Sequence, residues 1–316
     1  MKKLIYLFAL LPLLIACNQN NNNTNQKNVQ NNEISNALLP TKALVYNEVN
    51  YKNQVEKNWT KGVDSLYMDN LNNEILNSNI TLYDATPGEY IVGNRTKITA
   101  KEVRNYTPPK GEISAIYFTE AWAFDSSNYK LYKTILKWSP VIAYNKLTNK
   151  DSIGQKAKKL LYDVESSFKG NEKLIASNIT YEVNFNSEYK NYEWLDLEKL
   201  AKLIIDPVLK GKYKAYNFFN KNPLKAEDIK IALGYGLDSL EEEDPVTGEW
   251  KWKILTRDMR IDQVKAYIFV EDWYIDSKTY AIKKKIKTIA PIRLYKKNYR
   301  DKNLSKKVIF AIDFVQ

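Results

Sequence analysis

The apolar positions change period along the chain, and those changes divide it into elements. Behind Lys2 and Lys3 runs an unbroken apolar stretch from Leu4 to Ile15, and from Asn18 to Asn36 apolar side chains nearly vanish. Val63, Leu66, Tyr67, Leu71 and Ile75 recur at helical spacing, and Trp194, Leu197, Ala201, Ile204, Ile205 and Val208 do so more strongly. Left-handed caps are expected at Asn79 and Gly211, with a kink at Pro207. From Ile113 to Phe124 and from Val264 to Ile275, aromatic and β-branched residues accumulate as they do in strands. Asp125–Asn128 and Asp276–Thr279 read as turns, because an aspartate at the first position accepts backbone N–H groups. The returning strands are predicted to end at Pro140 and Pro291.

The two predicted hairpins are one pattern written twice. Ala115–Tyr144 lies without gaps on Ala266–Tyr295 at a constant offset of 151. Ala115, Phe118, Glu120, Trp122, Asp125, Ser126, Tyr129, Lys133, Ile135, Pro140 and Tyr144 meet identical residues, among them Glu271, Trp273, Asp276 and Pro291. Weaker parallels flank them: Ile75–Asp84 with Val208–Asn217, Ile98–Val103 with Leu224–Ile229, and Lys159–Val164 with Lys307–Ile312. The expected fold is α+β, with two tandem similar domains at 37–169 and 170–316. Each would have a helix, a mainly antiparallel sheet with a prominent hairpin, and its own core.

Composition narrows the chemistry. The 316 residues include no histidine, which removes imidazole acid–base schemes and histidine-ligated metals, and only ten glycines, which leaves little for phosphate-cradling loops. No cofactor or metal site is expected. The acidic run Asp238–Glu249 reads as a solvated loop. Glu120 with Asp125, and Glu271 with Asp276, suggest a carboxylate pair for glycoside processing or glycan binding, which needs the two groups about 5–9 Å apart across a cleft. The architectural reading instead makes each tryptophan a core anchor, each aspartate a turn former and each glutamate a cross-strand partner of Lys133 or Lys284. Of the formal charge of +11, nearly all comes from Lys278–Gln316. Lys283, Lys284, Lys285, Lys287, Arg293, Lys296, Lys297 and Arg300 there form a candidate basic interaction surface.

The amino terminus reads as an address. Two lysines, a short apolar core and Leu14-Ile15-Ala16-Cys17 have the layout of a lipoprotein signal at 1–16, with Cys17 the lipidated residue, and 17–36 forms an asparagine-rich tether. Such a coil has an end-to-end distance of about 25 Å. The first acidic residue after Cys17 is Glu33 and Asn18 is not the aspartate associated with inner-membrane retention, so the expectation is an outer-membrane anchor facing the periplasm. An exported chain does not meet nucleic acid, and no small-molecule substrate is expected.

Glu271-Asp272-Trp273-Tyr274-Ile275-Asp276, followed by Lys285-Ile286-Lys287-Thr288-Ile289-Ala290-Pro291, resembles the GldN/PorN family of Bacteroidota gliding-motility and type IX secretion components. Lys210–Asn217 and Asn79–Asp84 are similar to the stretch that follows the helix in that family. The resemblance implies a divergent, internally duplicated, non-enzymatic scaffold whose partners are other envelope proteins, including secretion and motility ring subunits.

Overall fold

The computed structural model describes residues 43–50, 65–85, 95–108, 111–125, 128–146, 155–186, 191–243, 245–298 and 300–314. The expected signal peptide, Cys17 and the tether lie outside the described residues. Strands β1 (Leu44–Asn50), β2 (Leu82–Tyr83), β3 (Lys97–Ile98), β4 (Glu112–Asp125), β5 (Lys130–Lys146), β6 (Gln155–Leu160) and β7 (Val164–Glu165) belong to the first half, with helices α1 (Ser65–Asn77) and α2 (Ala100–Tyr106). The second half holds β8 (Glu172–Asn184), β9 (Tyr192–Glu193), α3 (Leu197–Leu209), α4 (Ala226–Ala232) and β10 (Gly236–Glu243). It continues with β11 (Trp250–Arg257), β12 (Val264–Asp276), β13 (Ile282–Tyr295), β14 (Ser305–Val308) and β15 (Ile312–Asp313). One antiparallel sheet runs β6-β5-β4-β1-β9 and another β14-β13-β12-β8, with β7 and β15 pairing β5 and β13.

The long hairpins β4–β5 and β12–β13 agree down to their irregularities. Glu120 faces Ile135 as Glu271 faces Ile286, and Trp122 faces Lys133 as Trp273 faces Lys284. The register slips between Thr119 and Glu120 and again between Val270 and Glu271, so each glutamate follows a bulge that turns its strand. Tyr129 and Tyr280 both take left-handed backbone, at φ 54° and 56°. The strands do not stop at the prolines: β5 and β13 continue through Pro140 and Pro291. Proline is tolerated because each sits where one neighbouring strand gives way to the next, β7 to β6 and β15 to β14. Each proline carbonyl still accepts an N–H, from Leu161 at 3.0 Å and from Ile309 at 3.0 Å.

α3 forms because Leu200, Ala201, Ile204, Ile205 and Val208 line one buried face, the Asp196 side chain caps its first turn, and Gly211 turns left-handed at φ 73°. Trp194 lies before this helix and outside its stripe, in left-handed backbone and 62% exposed. Asn79 is not among the left-handed residues, and the first helix ends instead on Ser78, whose N–H meets the Ile75 carbonyl. The acidic run is no loop: Asp238–Glu243 is strand, paired with β11 in a separate two-stranded ribbon.

The two halves do not close separate cores. A single buried cluster joins Val45, Met68, Phe118 and Trp122 to Tyr181, Ile204, Phe269 and Trp273, and β9 of the second half extends the first sheet beside β1. Buried side chains of both sheets meet in this cluster, so the apolar faces of the sheets cover each other. A smaller cluster of Ala266, Ile268, Ala290, Ile292, Leu294 and Ala311 occupies the opposite face of the second sheet. Trp122→Ala should therefore cost about 3–5 kcal/mol and lower the stability of both sheets together. Urea unfolding followed by probes in each half should give one coincident transition; two separable transitions would contradict a shared core.

Candidate functional site

The repeated glutamates, tryptophans and lysines meet at the centre of the molecule. Alternation along β4 and β12 puts Phe118, Glu120 and Trp122 on one inward face, and Phe269, Glu271 and Trp273 on the face opposing it. The ion pairs cross between the hairpins. Lys133 Nζ lies 2.8 Å from Glu271 Oε1 and Lys284 Nζ 2.6 Å from Glu120 Oε1, with all four side chains fully buried. Trp122 Nε1 donates to Glu120 at 2.7 Å and Trp273 Nε1 to Glu271 at 3.1 Å. The rings repeat the exchange: Phe118 meets Trp273 edge-on at 5.1 Å and Trp122 meets Phe269 at 5.3 Å. Lys133 stands 2.9 Å above the Phe269 ring centre and Lys284 stands 3.4 Å above that of Phe118. Each of these contacts has its mirror, which makes the arrangement an approximate two-fold.

Tyr181 on β8 breaks the symmetry. Its hydroxyl donates to Glu271 Oε2 at 2.8 Å and accepts from Lys133 at 3.1 Å and Lys284 at 3.4 Å. Tyr181 stands opposite Phe269 in the second sheet as Asn47 stands opposite Phe118 in the first. Asn47 is buried, and its Nδ2 has no partner among the described residues. Burial pushes the Glu120 carboxyl up, but the ammonium groups of Lys284 and Lys133 and hydrogen bonds from Lys284 and Trp122 hold it below its ordinary value. Burial pulls Lys133 down to about 8 against the attraction of Glu271 and Glu120. The Tyr181 hydroxyl is driven well above its ordinary value by burial and by both carboxylates, so it stays protonated.

This arrangement holds charge without offering it to a substrate. Glu120 and Glu271 reach no solvent, so neither can meet a glycosidic oxygen, and the carboxylate-pair reading loses its acids. Asp125 ends β4 opposite Lys130. Asp276 is a turn former: it accepts backbone N–H groups from Lys278 at 2.9 Å, Thr279 at 3.2 Å and Lys169 at 2.6 Å. Burial raises its carboxyl, and these backbone donors hold it below the ordinary range. The glutamates pair with a lysine of the other hairpin, not with the one across their own strand. Among the described residues no group of three or more acidic or cysteine side chains converges to hold a metal.

The candidate basic surface divides. Lys284 is inside the core, Lys283 pairs with Glu172 at 2.7 Å, Lys285 covers Tyr274, and Lys287 reaches Asn178 at 2.7 Å. Arg293 is half-buried against Gln263, while Lys296, Lys297 and Arg300 are exposed. Sequence reading missed a second buried charge cluster, in which Lys137 (2.9 Å), Ser139 and Arg95 converge on Asp163. The only signal was an aspartate inside the apolar run Leu160–Val164. In the second half alanine replaces it: Ala311 exchanges backbone hydrogen bonds with Tyr216 as Asp163 does with Tyr83.

Lys284→Met should cost about 3–5 kcal/mol in urea unfolding, since it strands Glu120 in the core. The double change Glu120→Gln with Lys284→Met should cost less than the sum of the single changes. Because the folded Glu120 carboxyl lies below its ordinary 4.5, its stabilising contribution is present above that pH. It is lost as pH falls through the lower folded value, and the double variant should show a shallower acid decline. For Lys133 the unfolded chain holds the proton more tightly between about 8 and 10.5, so this group makes folding more favourable as pH rises through that window. Lys133→Met should remove that rise from the stability profile.

Residues 173–316 match the family model described as gliding motility associated protein GldN. The match contains Tyr181, Glu271, Trp273 and Lys284 and leaves their partners Glu120, Trp122 and Lys133 in the preceding half. No curated protein matches the chain. The hairpin β12–β13 thus lies within the matched residues, and the part of the chain from β8 onward, residues 173–316, is similar to the GldN gliding-motility family.

Proposed function

We propose that the chain is a non-enzymatic lipoprotein scaffold of a Bacteroidota envelope assembly, built from two GldN-like modules and tied by Cys17 to the periplasmic face of the outer membrane. The observation that carries this reading is the reciprocal quartet of Lys133, Glu271, Lys284 and Glu120. It commits the residues shared by the two hairpins to joining the modules. The matching registers and bulges support descent of both hairpins from one module, and the GldN match supports a role among motility and secretion components. A rigid body on a tether of about 20 residues can reach partners near the membrane while staying attached.

Two measurements test separate parts of the proposal. A tagged chain recovered from gently solubilised envelopes should bring motility or secretion subunits with it, and recovery of the chain alone under the same conditions argues against the scaffold role. Cys17→Ala should abolish labelling by a radioactive fatty acid and move the chain out of the outer-membrane fraction; unchanged labelling and fractionation would remove the anchor.

A further inference from the structure

Between its second helix and its long hairpin the first half has only Thr107–Gly111, whereas the second half inserts Leu233–Gln263. Most of that insertion is the β10–β11 ribbon, eight residues per strand and about 25 Å long. The shared core closes without it. The Arg260 N–H meets the Leu233 carbonyl at 2.8 Å, pinning the base, and beyond that point every described side chain of β11 is exposed. Trp250, Trp252 and Ile254 are 65%, 67% and 69% exposed and share one face, where Leu237 joins them at 65%. So large an apolar face on a projecting element marks an interaction surface.

Charge indicates what covers it. On the ribbon's other face Lys253 pairs with Glu242 at 2.9 Å and Arg257 with Asp238 at 2.9 Å. On the tryptophan face Glu241 stands opposite Trp252 and Glu243 opposite Trp250, and neither has an ion-pair partner among the described residues. The complementary chemistry is carried by this same chain in the turn after β13, where Lys296, Lys297 and Lys302 are exposed beside Leu304, itself 38% exposed. No ion pair joins ribbon and turn within one molecule among the described residues. Both features leave the same end of the second sheet, since Arg293 near the end of β13 reaches the Ala232 carbonyl beside the ribbon base. A two-fold axis through that end lets each ribbon lie on the other molecule's turn, so both contacts form at once and the assembly closes.

We propose that the ribbon docks on the surface formed by Lys296, Lys297, Lys302 and Leu304 of a second copy of this chain, making a two-fold dimer. The tryptophans are its anchors, and Glu241 and Glu243 face the partner's lysines. This inference goes beyond the scaffold reading and does not depend on it, because it needs no other envelope protein.

Sedimentation velocity of the purified full chain in a non-ionic detergent should show a dimer that weakens as salt is raised. Trp250→Ser with Trp252→Ser should weaken it about thirty-fold or more without changing urea stability. The Glu241→Lys/Glu243→Lys variant and the Lys296→Glu/Lys297→Glu variant should each be monomeric alone. Mixed one to one they should form a heterodimer, since each ribbon then meets a turn of opposite charge. A wild-type chain that remains monomeric to about 100 µM, or a dimer unaffected by the tryptophan and charge variants, would overturn the proposal. A mixture that stays monomeric while the wild type dimerises would overturn the pairing of ribbon with turn.

Discussion

Two lysines and two glutamates lie at the centre of this protein with no solvent around them, and the rest of the architecture answers to that fact. Removing such charges from water costs several kcal/mol each, offset only by an opposite charge in good geometry and by donors that fill the remaining oxygen sites. Lys133 and Glu271 come from different hairpins, as do Lys284 and Glu120. The indole N–H groups of Trp122 and Trp273 and the hydroxyl of Tyr181 complete the carboxylates. Neither hairpin can satisfy its buried charges without the other, so the sheets form one body even though the pattern was written as two.

Such a centre is selective more than it is strong. A purely apolar contact between two broad sheet faces could slide, because apolar packing has little direction. The crossed ion pairs and the edge-on contacts of Phe118 with Trp273 and Trp122 with Phe269 fix both translation and rotation. The shared bulge before Glu120 and Glu271 aims each carboxylate at the opposite lysine. Residues that look catalytic on paper, acids beside aromatic rings, thereby serve to hold two ribbons in register.

Around this symmetric centre the halves diverge. Asp163, ringed by Lys137, Ser139 and Arg95, gives way to Ala311 in the second sheet, where apolar contacts with Ala266 and Ala290 replace buried charge. Asn47 stands where the second half has Tyr181. Among the described residues, the ribbon with its exposed tryptophans exists in the second half alone, within the GldN match. Divergence at the periphery with identity at the centre is what the packing demands, since a change in one member of the quartet unbalances three others.

Much of the local structure was determined by the sequence itself. The 151-residue offset identified both hairpins, the turn at Asp276 and the inward tryptophans, because strand alternation and turn chemistry are short-range rules. The α3 stripe from Leu197 to Val208 was legible for the same reason. The prolines misled, since whether a strand survives one depends on which neighbour faces its missing N–H. Tertiary structure alone decided that the two faces pack on each other, that each glutamate selects the lysine of the other hairpin, 151 residues from the one on its own, and that Tyr181 joins them. Nothing in a strand's periodicity says which surface will cover it. That choice is made by the area each sheet leaves uncovered and by charges that can be neutralised only across the interface.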